Sequence, residues 1–322
     1  MTALLSVERL AKQYPVTGRR GETLHAVDGV GFTLAAGRTL GIVGESGCGK
    51  STTAKLVLGM IPATSGRIAF AGEPVTAVRD ARWRDQRRSM QMVYQDPMAA
   101  LDRRLTVGEQ VLEPLAIHGL EAGDAARRDR ALSLFDAVGL RRELFGRYPH
   151  ELSGGQRQRV VIARALILDP KLVVCDEAVS ALDVSVAAQV INLLQDLQAR
   201  SGIAYLFISH DLKVVRQVAD EVAVMYLGRI VEQGRPDQLF HAPAHPYTEA
   251  LVSAVPGLRR RERIVLAGDP PNPVDRPAGC AFHPRCPRAL PCCRTEAPAL
   301  RPAPDGRLAA CHLVPADAQA AA

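Results

Sequence analysis

The sequence predicts an α/β fold: a core with a mostly parallel sheet, an antiparallel β flap, a helical subdomain and a small Cys-rich C-terminal extension. Three observations predict it. An apolar run, Thr39-Leu40-Gly41-Ile42-Val43, ends in a glycine-rich turn that opens a helical pattern. Strand and helix patterns alternate from Leu172 to Glu232, which argues for parallel strands with helices on both faces. Short strand patterns without helices fill the region before Thr39 and argue for a β-rich flap.

The elements follow in order. Leu4 to Leu10 reads as a strand, with Tyr14 after it in a loop rich in Gly and Arg. Val27 to Leu34 reads as a second strand, Thr53 to Met60 as a helix, and Arg67 to Phe70 with Gly72 as part of a hairpin. Ser89 to Tyr94 is a short apolar strand ending at Gln95-Asp96-Pro97. From about 97 to 168 the apolar spacing turns helical, over Val107–His118, Ala125–Val138 and Gly155–Leu168. Strands then return at Leu172–Cys175, Ala204–Ile208, Glu221–Tyr226 and Arg229–Glu232, with helices at Val184–Arg200 and Leu212–Ala219. From about Ala242 periodicity fades while Pro, Arg and Cys rise. This divides the chain into a main domain, 1–241, and a separate appendage, 242–322, with a disordered Ala-rich end from Pro315 to Ala322.

Composition narrows the classes. The chain has 322 residues, enough for about two domains. Hydrophobic residues make up 47% but aromatics only 4%, so aliphatic side chains must fill the core. The charge-free run Leu56–Gly66 has eleven residues and the longest, Val184–Gln195, has twelve, against about twenty for a membrane span. No signal peptide is visible at Met1 to Arg9. The net charge of +6 is modest. The arginines between Arg79 and Arg104, and at Arg259-Arg260-Arg261, read as solvated surface rather than as a face for nucleic acid or anionic lipid. With no export signal, seven cysteines read as thiols or metal ligands rather than disulfides.

The glycine-rich turn is Gly44-Glu45-Ser46-Gly47-Cys48-Gly49-Lys50-Ser51-Thr52. Such a turn aims backbone N–H groups at one point, and the helix N-terminus adds roughly half a positive charge there. This is a phosphate cradle, in which Lys50 reaches the terminal phosphates and the Ser51 hydroxyl ligates Mg²⁺. A second strand, Leu172 to Cys175, ends in Asp176 and Glu177. The first carboxylate suits Mg²⁺, and the second is placed to orient and deprotonate a water attacking the γ-phosphate. Leu152-Ser153-Gly154-Gly155-Gln156 opens a long helix and makes a second anion nest. One triphosphate needs one cradle, so each nest completes the site of another copy. His210 ends a strand parallel to that carrying Glu177 and is read as reaching the γ-phosphate.

These motifs, with Gln95 and Ser180-Ala181-Leu182-Asp183, resemble those of an ABC-type ATPase over about residues 4 to 255. The resemblance implies two subunits meeting head to tail around two ATP molecules. It implies that Tyr14 stacks on adenine, Gln95 senses Mg²⁺ or the attacking water, Ser153 and Gly155 touch the partner's γ-phosphate, and Asp183 lines the seam. Arg147-Tyr148-Pro149-His150-Glu151, Cys175-Asp176-Glu177-Ala178-Val179-Ser180 and His245-Pro246-Tyr247-Thr248 narrow it to the oligopeptide/dipeptide-importer branch. One departure is Ala178, where Pro is expected in relatives. Expected partners are a second ATPase subunit, identical or paralogous, two membrane permease subunits and, indirectly, an extracytoplasmic substrate-binding protein, with no nucleic acid. The expected place is the cytoplasmic face of the membrane. Nickel and glutathione importers share these motifs. The rival class, a soluble ABC ATPase acting on nucleic acid or ribosomes, usually carries two cassettes or long coiled insertions, and neither is present here.

Cys280, Cys286, Cys293 and Cys311 are separated by five, six and seventeen residues. Four thiolates can hold Zn²⁺ or an iron–sulfur cluster, or stay free. His283, His312 or Cys292 can replace one ligand. Spacing does not choose among these; the resemblance to the importer branch's extension, around Gly279-Cys280-Ala281-Phe282-His283-Pro284-Arg285-Cys286-Pro287, implies [4Fe–4S].

Overall fold

A computed structural model describes residues 3–16, 18, 21–121, 123–255 and 263–315. Arg259-Arg260-Arg261 and residues 316–322 of the Ala-rich end lie outside the described residues. The chain divides into two compact units. The first comprises Met1–Ala35, Thr39–Ala77 and Ser209–Ala322, and the second Ala36–Arg38 and Val78–Ile208.

The first unit opens with β1 (Leu5–Pro15), β2 (Thr23–Leu34), β3 (Thr39–Val43), α1 (Lys50–Val57), β4 (Ser65–Phe70) and β5 (Glu73–Pro74). Strands β2-β1-β4-β5 form an antiparallel sheet in that order. Its register sets Leu5 opposite Leu34 and Phe70, and Val7 opposite Phe32 and Ile68. All six side chains are buried, so one face of the sheet is apolar throughout. Each contributes roughly 1.5–3 kcal/mol by leaving water. Tyr14 departs from the sequence reading. It lies within β1, opposite Leu24, rather than in a loop. Irregularities at Val7/Leu10, Leu10/Lys12 and Lys12/Gln13 break the alternation that would have marked the longer strand.

The second unit holds α2 (Ala81–Ser89), β6 (Met90–Val93), α3 (Pro97–Ala100), α4 (Val107–Ile117), α5 (Asp124–Ala137), α6 (Gly154–Leu166), β7 (Leu172–Asp176), α7 (Val184–Ser201) and β8 (Ala204–Ser209), the last residue of β8 falling to the first unit. Strand β7 lies between β6 and β8, parallel to both, with Val174 opposite Met92 and Leu206. Every residue of β7 and β8 is buried, as a strand covered on both faces requires. Helices α3 to α6 occupy the predicted helical stretch, and a Thr106–Glu109 capping box fixes the start of α4. Helix α2 has no counterpart in the sequence reading. It buries no residue, so it shows no apolar periodicity, and the signal for it is Asp80, which accepts from the Trp83 N–H at 2.8 Å.

The chain then returns to the first unit with α8 (Leu212–Val218), β9 (Glu221–Tyr226), β10 (Arg229–Gly234), α9 (Pro236–His241), α10 (Pro246–Ser253), β11 (Arg301–Pro302) and β12 (Leu308–Ala309). Strand β3 runs parallel to β9, and β9, β10, β12 and β11 follow in antiparallel order. The sequence reading sets residues 242–322 apart. In the structure the described part of this segment adds β12 to β10 and belongs to the unit that carries β3. Phe282 packs on Tyr226, Tyr247 and His245 with ring centroids 5.3, 5.4 and 5.6 Å away, and all four are buried. Arg307 and Glu232, both buried, pair at 3.0 Å. Two-residue strands and isolated anchors carry no period, which is why the segment read as an appendage.

No helix among the described residues is long and apolar enough to cross a membrane.

Candidate functional site

Strand β3, buried along its length, delivers the chain to Gly44. Close packing requires glycine there: a Cβ on Gly44 would lie 2.2 Å from the Met225 carbonyl oxygen. Gly49, at φ 107°, would place one 2.2 Å from the Ala26 carbonyl oxygen. Helix α1 begins at Lys50, three residues before the sequence reading, because Ser51 and Thr52 add no apolar signal to its first turn. The Lys50 ammonium is buried and donates to the carbonyls of Gly44 at 2.8 Å and Glu45 at 2.9 Å. Ser46, Gly47 and Ser51 are exposed. The loop therefore presents backbone and a hydroxyl outward, at a helix end with no acidic residue in its first turn. Cys48 points inward, and burial pushes its thiol up despite the neighbouring Lys50 charge. His210, exposed after β8, belongs to this unit too, and Asp211 caps the helix that follows it. Tyr14 is 37% exposed, with the Lys12 ammonium over its ring at 4.9 Å from the centroid.

The second unit carries the acidic residues. Asp176 closes β7 and is 8% exposed. Glu177 follows at φ 50°, a left-handed conformation costing roughly 1–2 kcal/mol for a residue with a side chain. Its N–H donates to the Ile208 carbonyl at 2.9 Å, and its own carbonyl accepts from the Ser180 hydroxyl at 2.9 Å. Its carboxylate accepts from the Gln95 amide at 3.0 Å. Three hydrogen bonds hold this strained conformation in place.

The nest at α6 is a capping box. Ser153 Oγ accepts from the Gln156 N–H at 3.3 Å, and Gln156 Oε1 accepts from the Ser153 N–H at 2.9 Å. A Cβ on Gly154 would meet only Leu182, at 3.9 Å, whereas one on Gly155 would lie 2.5 Å from Val186 Cγ1. Asp183, exposed, opens α7, its carbonyl accepting from the Ala187 N–H.

In the C-terminal segment Cys280, Cys286, Cys293 and Cys311 line one small cavity with His245 and His312. Burial pushes the Cys280 thiol up, and Cys293, Cys311 and Cys286 push it the same way. The donor atoms of Cys292, Cys293 and His312 lie within 4.8 Å of one another. Two thiols and an imidazole so gathered are soft donors of the kind a metal ion takes; of the four cysteines singled out in the sequence only Cys293 belongs to this trio, and the other three line the same cavity. Two residues the sequence reading gave no part in this site touch the phosphate loop: Tyr247 accepts from the Glu45 N–H, and Arg285 pairs with the Glu45 carboxylate. They lie more than two hundred residues away along the chain, and no local pattern marks them.

Residues 27–180 match the family model described as ABC transporter, and residues 231–293 match the oligopeptide/dipeptide transporter C-terminal region. The chain belongs to the ABC transporter family, as an ATP-binding subunit of the oligopeptide/dipeptide branch. It is 52% identical over 319 residues to the probable peptide ABC transporter ATP-binding protein y4tS of Sinorhizobium fredii, covering 97% of this chain and 90% of that one. It is 50% identical to the oligopeptide transport ATP-binding protein OppF of Salmonella typhimurium, covering 87% and 85%. Among solved structures, the dimeric ATP-binding cassette MJ0796 in a post-hydrolysis state with ADP and Pi superposes with a TM-score of 0.66 at 26% identity, covering 72% of this chain and 98% of that one.

Proposed function

We propose that this chain is the ATP-hydrolysing subunit of an importer for di- or oligopeptides. The observation that carries the proposal is the pairing of a phosphate loop, Gly44–Thr52, with the importer-type C-terminal region in one chain. Lys50 and the loop amides hold the triphosphate. Ser51, Asp176 and Gln95 offer hard oxygen donors that suit Mg²⁺, which neutralises phosphate charge when bound. Glu177 takes the proton from the attacking water, with Gln95 fixing its carboxylate and His210 donating to the γ-phosphate. Tyr14 stacks on the adenine.

A second subunit, identical or paralogous, supplies Ser153, Gly154, Gly155 and Gln156 to the nucleotide, and Asp183 lines the seam. Charge-assisted contacts of this kind exist only in the closed pair. Moving an open-to-closed equilibrium from 1:99 to 99:1 takes roughly 5.5 kcal/mol of differential binding. Hydrolysis removes the γ-phosphate and reopens the pair. Two membrane permease subunits receive this motion at the cytoplasmic face. Cys280, Cys286, Cys293 and Cys311 hold an iron–sulfur cluster or Zn²⁺ that staples the Pro-rich segment.

The test is co-purification followed by reconstitution. Permease subunits should come down with the chain, and ATP hydrolysis in proteoliposomes should rise when a peptide-loaded receptor is added. Recovery of RNA or DNA in place of permease would overturn the proposal.

A further inference from the structure

The phosphate loop is gripped from outside the segment that matches the general ABC cassette. Glu45, its second residue, is held twice. The Tyr247 hydroxyl accepts from the Glu45 N–H at 2.9 Å. The Arg285 guanidinium meets the Glu45 carboxylate with both terminal nitrogens, at 2.8 and 3.1 Å. Arg285 is 7% exposed and Glu45 28%, so water screens this fork weakly. Both holding groups rest on the same buried cluster, since Tyr247 and Phe282 pack with centroids 5.4 Å apart and Arg285 lies three residues beyond Phe282. The turn bearing Arg285 is closed by N–H groups of His283 onto Cys280 and of Cys286 onto His283.

We infer that Arg285 and Tyr247 are positioning residues for the phosphate loop, so that the C-terminal segment sets how tightly this chain binds nucleotide. The inference rests on Gly44–Thr52 being the triphosphate cradle. Two physical effects support it. A loop with glycines at 44, 47 and 49 loses much conformational freedom when it wraps an anion, and a loop already fixed at its second residue loses less. A bare carboxylate at Glu45 would also repel the incoming triphosphate, and Arg285 neutralises that charge. Neither residue needs to touch the nucleotide.

The experiment measures binding of a fluorescent Mg-ATP analogue, and kcat and KM for ATP, on the full chain. Arg285→Ala should weaken binding about tenfold, within the range usual for coupled sites, and raise KM with little change in kcat. Tyr247→Phe keeps the buried ring and should weaken binding a few-fold. Because Arg285 acts through Glu45, the double variant Glu45→Ala/Arg285→Ala should bind no more weakly than Arg285→Ala alone. If Arg285→Ala does not fold, Arg285→Lys, which keeps the charge and loses the fork, should give an intermediate loss. Wild-type affinity in whichever Arg285 variant folds, or losses that multiply in the double variant, would overturn the inference. Lys50→Ala separates the two readings. If it abolishes binding while the Arg285 variants bind normally, only the clamp fails; if it too binds normally, the cradle reading and the clamp fail together.

Discussion

Gln95 and Glu177 are hydrogen-bonded side chain to side chain, Nε2 to Oε2 at 3.0 Å, although 82 residues separate them. Gln95 leaves β6 just as Glu177 leaves β7, and the two strands are parallel neighbours, so both chains emerge at the same edge. The amide orients a carboxylate whose backbone is already held in a left-handed conformation. Replacing Glu177 with Gln should keep nucleotide affinity within about twofold and lower kcat by roughly 10²–10⁴, the usual worth of a positioned general base. Single-turnover hydrolysis beside equilibrium binding checks this, and an unchanged rate would remove Glu177 from the mechanism.

Gln95→Ala should act on the same carboxylate without removing it. The expected loss in kcat is smaller, about tenfold, with nucleotide binding in the absence of Mg²⁺ unchanged. In a Glu177→Gln background the same substitution should cost almost nothing further, because residues acting as one group are not additive. A full tenfold loss in that background would mean that Gln95 acts through Mg²⁺ rather than through the Glu177 carboxylate.

Much of this was legible in the sequence, for identifiable reasons. The buried strands β3 and β7 are continuous apolar runs ending in chemistry, and such runs have few alternative readings. The start of α6 was written as a serine and two glycines ahead of a helical apolar period, although the reciprocal Ser153–Gln156 cap was not read there. Helix α2 was not legible because it buries nothing, and Tyr14 was misplaced because bulges interrupt β1. The grip of Arg285 on Glu45 was beyond any local reading. It depends on a Pro-rich segment with two-residue strands whose position is fixed by Phe282, Arg276 and Arg307, one anchor at a time.

Phe282 is the anchor whose loss should be most visible. It is 1% exposed and touches three other buried rings. Phe282→Ala should cost about 3–5 kcal/mol in denaturant unfolding of the first unit. Phe282→Leu should recover most of this, and a loss under about 1 kcal/mol for the alanine variant would show that the cluster contributes little.

Asp28 gives a pH signature. Burial alone would raise its carboxyl, but Arg229 and Arg276 overcome this and hold it below the ordinary aspartate value of 3.8. A carboxyl depressed in the folded state adds stability that is fully present above its unfolded value, about 3.9, and is lost as pH falls through the folded value. Asp28→Asn should therefore destabilise the protein by roughly 1–3 kcal/mol at pH 7. The gap to wild type should hold down to about pH 4 and narrow only below it. Stability curves of both proteins between pH 3 and 8 decide this; a gap that closes by pH 6 would assign the difference to another group.

Gly154 distinguishes a structural glycine from one that serves a partner. A Cβ there meets only Leu182 Cδ2, at 3.9 Å, so this chain has room for Gly154→Ala. A Cβ at Gly155 meets Val186 at 2.5 Å and forces α6 and α7 apart. Gly155→Ala should thus lower both stability and turnover. Gly154→Ala should fold like wild type, with a melting midpoint within about 2 °C, and still lose ATP hydrolysis, because the missing space lies on a second subunit approaching the helix N-terminus. Mixing supplies the control. Gly154→Ala chains combined with Lys50→Ala chains should show no more than one competent site per pair, and wild-type turnover by Gly154→Ala alone would mean that no partner closes on this nest.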